Sequence, residues 1–285
     1  MKVSIRQALK NVSSEKYDKQ NIFLFFGILF IAGVLGLFLP EELTNQAVLR
    51  TMPPEQVSAL YSDPKVIIIF LLSMFLCFIS NGIYIVASNN AIHNRNGVFP
   101  NPLNEIGKII SASFKFFTGS SIVISLIFML SLVISLILLN ISPMLWLVIV
   151  PLVVISVHAW LCVTFRFYMT LRFKDFFSFK RSWVMIGKNL RRFGSYVWKS
   201  ILCIFLVVLL NFIIIFILGM IFGAIGVLSG NMQETETAVR AISLIVQVIL
   251  GGFLSVYFVD LNAQLLGPIV MKKKKKPIVQ KESQI

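Results

Sequence analysis

The chain has 285 residues, 57% hydrophobic and only 13% charged, and its 26 Lys and Arg against 12 Asp and Glu give a net charge of +14. A soluble domain carries about a quarter charged residues, so a water-soluble globular fold is excluded. The basic excess does not point to nucleic acid either, because the cations sit beside apolar runs and no recognition module or separate basic domain accompanies them.

Six apolar runs follow in order: Ile22 to Leu39, Val66 to Ser88, Ser120 to Leu139, Met144 to Phe167, Ile201 to Leu228 and Ala241 to Val259. Each is near or above the ~20 residues that a helix needs to cross ~30 Å of hydrocarbon. Five cations precede the first run, three lie between the second and third, nine stand from Arg166, at the end of the fourth, to Lys199 before the fifth, and six follow the last. The opposite gaps hold only Arg50, Lys65 and Arg240, with the acids Glu41, Glu42, Glu55, Asp63, Glu234 and Glu236. The positive-inside rule then places both termini in the cytoplasm. Leu39-Pro40-Glu41-Glu42 offers no small-x-small cleavage pattern, so the first run is expected to be an uncleaved helix.

Residues 1–21 are expected to form a cytoplasmic amphipathic helix, 22–271 a six-span membrane domain and 272–285 a basic cytoplasmic tail, disordered from Pro277. Pro53-Pro54 and Pro64 are expected to break any helix in the loop from Pro40 to Lys65. Asn140 to Pro143 is expected to be a tight hairpin, and Gly230 to Arg240 a short acidic loop. Three copies of one unit are read along the chain, each an amphipathic helix followed by a span out and a span back. A slide of 80 residues lays Ile106-Gly107-Lys108 on Ile186-Gly187-Lys188 and Ser120 on Ser200. In the second copy Asn101 is a cap, Pro102 suits a first helical position, and Leu103, Ile106, Ile110, Phe114 and Phe117 supply an apolar face.

Residues 174–199 show the amphipathic element best. Phe176, Phe179, Trp183, Ile186, Leu190, Phe193 and Val197 recur at steps of three and four, which places them on one helical face. Arg181, Lys188, Arg192 and Lys199 follow a second stripe, expected to touch anionic lipid headgroups. The other reading is that these apolar faces pack on the spans as ordinary core.

Phe99 to Lys199 resembles an uncharacterised prokaryotic family of six-span integral membrane proteins. The residues that carry the likeness are Pro102 to Lys108, Phe165-Arg166-Phe167-Tyr168, Phe176-Phe177-Ser178-Phe179 and Lys188-Asn189, with Asp175 to Phe179 a looser form of the family's acidic and aromatic stretch. The layout is also similar to the membrane domain that accompanies some glycerophosphodiester phosphodiesterases, but no soluble catalytic domain is expected within these 285 residues, so that activity is not carried over. The resemblance implies architecture and supplies no active residue; the expected location is the cytoplasmic membrane of a prokaryote.

No metalloprotease, nucleophile-elbow or phosphate-loop motif occurs, and His93 and His158 are the only imidazoles. Cys77, Cys162 and Cys203 have no Cys-x-x-Cys partner and read as apolar packing residues. Neither a metal nor any other cofactor is expected. Polar side chains within the spans are more informative, since burial in lipid is costly unless they face the bundle. At 1.5 Å per residue, counting inward from the cytoplasmic side, Asn81 lies about 10 Å deep, His158 about 13 Å and Asn211, counted from Lys199, about 18 Å. They read either as a polar layer forming a small site or as ordinary interhelical hydrogen-bond partners. Arg166 and Asp260 are expected to pair at the inner surface. Pro151 should kink the fourth span, and Gly219 and Gly223 form a small-xxx-small pattern.

The expected fold is therefore an all-α polytopic bundle of six spans, with interfacial amphipathic helices and a threefold repeat. The expected function is a non-enzymatic membrane component that organises or senses the inner leaflet, or serves a protein partner. The alternative is a permease for a small solute or lipid.

Overall fold

The computed structural model describes residues 8, 11, 17–40, 43, 50–141, 146–229 and 232–274, and among them all regular structure is helical. Side chains are described for fewer, those of 137–155, 224–237, 240 and 272–274 being left out. Asp18 caps α1 (Lys19–Leu37), accepting from the Gln20 amide at 3.0 Å. Between the prolines stands a nine-residue helix, α2 (Pro54–Ser62), which the sequence reading did not expect. Pro54 occupies its first position, where the missing N–H would be unpaired anyway, so the proline starts this helix instead of breaking one. Pro64 opens α3 (Pro64–Ile92) in the same way, with Asp63 accepting from the Lys65 amide at 2.8 Å.

Asn101 caps as expected, taking the amides of Leu103 at 2.9 Å and Asn104 at 3.3 Å. The amphipathic stretch beyond it is continuous with the third span as α4 (Ile106–Ile141), a 36-residue helix of about 54 Å. The fourth run is helical in α5 (Trp146–Thr170), while Met144, Leu145 and the expected hairpin residues Ser142 and Pro143 lie outside the described residues. A 3₁₀ turn (Phe173–Phe177) and α6 (Phe179–Gly187) lead to α7 (Leu190–Ser229) and α8 (Met232–Lys274).

The single amphipathic helix expected over 174–199 is therefore three pieces. Ile106-Gly107-Lys108 opens a helix whereas Ile186-Gly187-Lys188 closes one, so the second and third copies are built differently at this point. Met232 to Arg240, expected as loop, is helical, and α8 runs beyond Val259 through Pro268. Most of the N-terminal helix expected over 1–21, and the tail from Lys275, lie outside the described residues.

Five helical stretches are long and apolar enough to cross a membrane: Lys19–Leu37, Pro64–Ile92, Ile106–Leu136, Leu190–Gly223 and Ala241–Met271. At the centre α3 lies against α8, and α1 packs on both. Glycines allow the closest approaches. A Cβ at Gly33 would meet Leu244 and Val248 of α8, one at Gly252 would meet the ring of Phe26, and one at Gly82 would meet the backbone of Ile109 on α4. The core is not spread evenly along the helices. It occupies Ile79 to Ile92 of α3, Cys162 to Met169 of α5 and Val256 to Leu266 of α8, all toward the end where the cations cluster, whereas Ile67 to Phe75 and most of α7 face outward.

Candidate functional site at the basic end

Four polar groups join the helices at this end. The first is centred on Asp260 of α8, which is 3% exposed. Its carboxylate accepts from the Tyr17 hydroxyl at 3.0 Å, the Asn11 amide at 3.1 Å and the Gln264 amide at 2.7 Å. Burial, then the charge of Asp260 and its hydrogen bond, push the Tyr17 phenol well above its ordinary value, so the hydroxyl remains a donor. Two residues on, the buried Asn262 accepts from the Tyr196 hydroxyl at 2.9 Å and donates to Tyr84 at 3.0 Å and Ser88 at 3.3 Å, joining α3, α7 and α8.

The third group ties the α3–α4 connection and the end of α5 to the bundle. Asn89 donates to the Tyr168 carbonyl at 2.7 Å and Asn90 to that of Val98 at 3.2 Å, while Asn21 reaches the Phe99 carbonyl at 3.0 Å. His93 Nε2 lies 2.9 Å from the Met169 carbonyl, which can only accept, so this nitrogen carries the proton.

In the fourth group Arg166 Nε meets Asp175 Oδ1 at 2.7 Å, and Thr170 donates to Oδ2 at 2.6 Å. Burial raises the pKa of Asp175, but the hydrogen bonds from Thr170 and Arg166, with the charges of Arg166 and Arg172, outweigh it and hold the carboxyl below its ordinary value. The chain enters this turn through Leu171 in the left-handed region at φ 53°. Phe176 then seats its ring on Gly119 of α4, where a Cβ would overlap it, and stacks 4.7 Å from Phe167.

These contacts correct the expected Arg166 to Asp260 pair. The arginine leaves α5 toward its own following turn, nine residues on, and Asp260 is occupied by the N-terminal segment. The two side chains share an end of the bundle without meeting.

Asn81, His158 and Asn211 are not joined either, since no hydrogen bond links them among the described residues. His158 is exposed and meets the edge of the Trp183 ring, with centroids 5.5 Å apart. Asn211 Oδ1, like Thr164 Oγ1 and Tyr257 OH, is covered and has no hydrogen-bond partner among the described residues. Arg181 and Lys188 are exposed, and Arg192 and Lys199 half-buried. Of the expected apolar face, Phe176, Ile186 and Phe193 enter the core, while Phe179, Trp183, Leu190 and Val197 remain exposed. Cys162 is buried as a packing residue should be, but Cys77 is exposed. Among the described residues no group of three or more His, Cys, Asp or Glu is placed to hold a metal.

The sequence reading missed Asp175 as the partner of Arg166, the Tyr17 to Asp260 bond and the tyrosines around Asn262. Comparison with protein families, characterised proteins and solved structures finds no match for this chain. What the site does must be argued from its own chemistry.

Proposed function

We propose that this is a six-span protein of a prokaryotic cytoplasmic membrane, with both termini in the cytoplasm, acting as a non-enzymatic component that organises the inner leaflet. One observation supports it above others: the buried carboxylates, the carboxamides of Asn21, Asn89, Asn90 and Asn262 and the hydroxyls of Tyr17 and Tyr196 at the basic end are spent on one another, on Arg166 or on backbone carbonyls, with Thr164 and Tyr257 as exceptions, whereas cations such as Arg181 and Lys188 point away from the protein. A catalytic or transport site leaves reactive polar groups convergent on an opening; here the outward chemistry is positive charge beside apolar rings. The segregation of Lys and Arg supports the orientation, and the length of the 25-residue helix Trp146–Thr170 supports counting it as a span beside the other five.

The permease alternative relies on Asn81, His158 and Asn211, and it has less support because no hydrogen bond joins them among the described residues and Trp183 packs against the imidazole in a T-shaped contact. Two measurements test the proposal. Cysteines placed at Glu55 and Glu236 should label from outside intact cells, and one placed at Lys174 should not. Lipids retained after gentle detergent extraction should be richer in anionic species than the bulk membrane, and retention at the bulk ratio would sink the proposed role.

A further inference from the structure

We propose that residues 172–190 form a fixed wedge in the membrane surface whose partner is the layer of anionic phospholipid headgroups, an assignment that rests on the proposed inner-leaflet role of this end. The sequence alone describes a helix that folds on the bilayer. The structure contains an element already anchored to the spans. Asp175 is bonded to Arg166 and Thr170, Phe176 fills the space above Gly119, and Ser182 and Ile186 are buried on the inner side of α6.

Depth comes from Trp183. Its ring reaches His158, twelve residues before the end of α5 at Thr170, or about 18 Å along the helix at 1.5 Å per residue. Trp183 is nevertheless 54% exposed and Leu190 67% exposed, with Phe177, Phe179 and Val184 also outward. Among the spans, groups at this level meet acyl chains or the headgroup boundary, where tryptophan is favoured.

Around these apolar groups stand Arg172, Lys174, Lys180, Arg181 and Lys188, all exposed and, among the described residues, without an ion pair. The one acid of the segment, Asp175, is turned inward and already neutralised by Arg166. The outward charged groups are therefore all cationic, set among the aromatic and aliphatic side chains named above. Long basic side chains extend their heads to phosphate while their stems and the neighbouring rings stay in the apolar layer. An anionic bilayer satisfies both halves of this face at once. An acidic soluble protein satisfies only the charges and leaves rings at the depth of His158 uncovered.

The test uses the full chain in vesicles of phosphatidylcholine and phosphatidylglycerol, with bromine on the acyl chains of one lipid or the other at equal mole fraction. The quenching lost in Trp183→Phe isolates this ring from Trp146, Trp160 and Trp198. It should be stronger when the phosphatidylglycerol is brominated, and Arg181→Gln and Lys188→Gln should each lower the preference about fivefold, from roughly 1 kcal/mol per charge. An unchanged detergent melting temperature in these charge variants would show that folding is intact.

Equal quenching by both lipids would overturn the anionic assignment. Absence of Trp183 quenching in folded protein would overturn the wedge and indicate a protein cover. Outside labelling of a cysteine at Lys174 would instead remove the inner-leaflet role, while leaving a lipid preference measured in vesicles intact.

Discussion

Two carboxylates are buried at the same end of this bundle, and they are solvated by different means. Asp175 has a guanidinium at 2.7 Å and a hydroxyl at 2.6 Å, both from α5, so the bonds close a short local turn. Asp260 is held by two amides and a phenol, and two of those three donors come from the N-terminal segment, 249 and 243 residues away in sequence. The first arrangement fixes a local element, the start of the wedge, through charge. The second ties the beginning of the chain to its last helix through dipoles. Breaking an ion pair strands a charge, whereas removing a carboxylate from a set of neutral donors strands only hydrogen bonds, so the two sites should respond very differently to substitution.

The largest effect is expected at the first site. Arg166→Met leaves Asp175 buried with one hydroxyl and no ion-pair partner, only the weaker influence of Arg172, and loss of one member of a buried pair costs about 3–5 kcal/mol. Thermal unfolding in detergent should show it, and Arg166→Met combined with Asp175→Leu should recover most of the loss, since no charge then remains to be solvated. A double variant as unstable as the single one would mean that the turn geometry matters more than the charge. The same pair sets an acid dependence. The folded-state pKa of Asp175 is depressed, so its contribution is complete above the unfolded value of ~3.9 and is lost as pH falls through that value toward the lower folded one. Stability measured at successively lower pH should fall less steeply in the double variant than in the wild type.

At the second site, Asp260→Leu is expected to cost about 1–3 kcal/mol, the cost of leaving a buried donor without its acceptor. Asp260→Asn retains an acceptor for Tyr17 and should lose less. The specific readout is release of the N-terminal segment, seen as faster labelling of a cysteine placed at Ala8, which is fully buried. If Asp260→Leu destabilises as much as Arg166→Met, the carboxylate at 260 is acting as a charge and the contrast fails.

A third substitution separates packing from electrostatics at the wedge. Gly119→Ala introduces a methyl where the Phe176 ring lies, and overpacking costs about 1–3 kcal/mol. It should loosen the wedge without altering the acid dependence set by Asp175. Pairing it with Phe176→Leu should restore much of the stability, whereas no restoration would place the strain in the backbone.

The membrane-spanning character was legible because it depends on run length and composition, and five of the expected spans are seen as long apolar helices. Helix boundaries were less so. The step from amphipathic helix to span at Ser120 involves no backbone break, only a change in what surrounds the helix, so α4 passes through it. The opposite error occurred near Lys188, where regular spacing of Phe176 to Val197 suggested one helix but burial of Phe176 and Ile186 required a turn before Leu190. Pairing was the least legible. Arg166 and Asp260 were matched by depth alone, but depth is shared by everything at one end of a bundle, and the rotation of each helix decides which side chains meet. The signal for the true partner was local, an acid nine residues after a span-terminal arginine with Thr170 between them.

The smallest effect is expected at His158, where the functional and structural readings of the polar layer can still be separated. Its contact is an edge-to-face meeting with Trp183, a kind of pair worth about 0.5–1.5 kcal/mol beyond area burial, and no buried polar group depends on it among the described residues. His158→Leu should therefore leave a folded, inserted protein at near-normal abundance, and His158→Phe should recover the ring contact as well. If the protein only needs this residue to support the wedge, the Phe variant behaves as wild type and the Leu variant shows a modest weakening in the Trp183 quenching signal. A permeation site built on the imidazole predicts the reverse pattern: both variants lose function at full abundance. The Phe variant is the decisive one, because it keeps the shape that Trp183 requires and removes the proton chemistry that a permease of this kind would need.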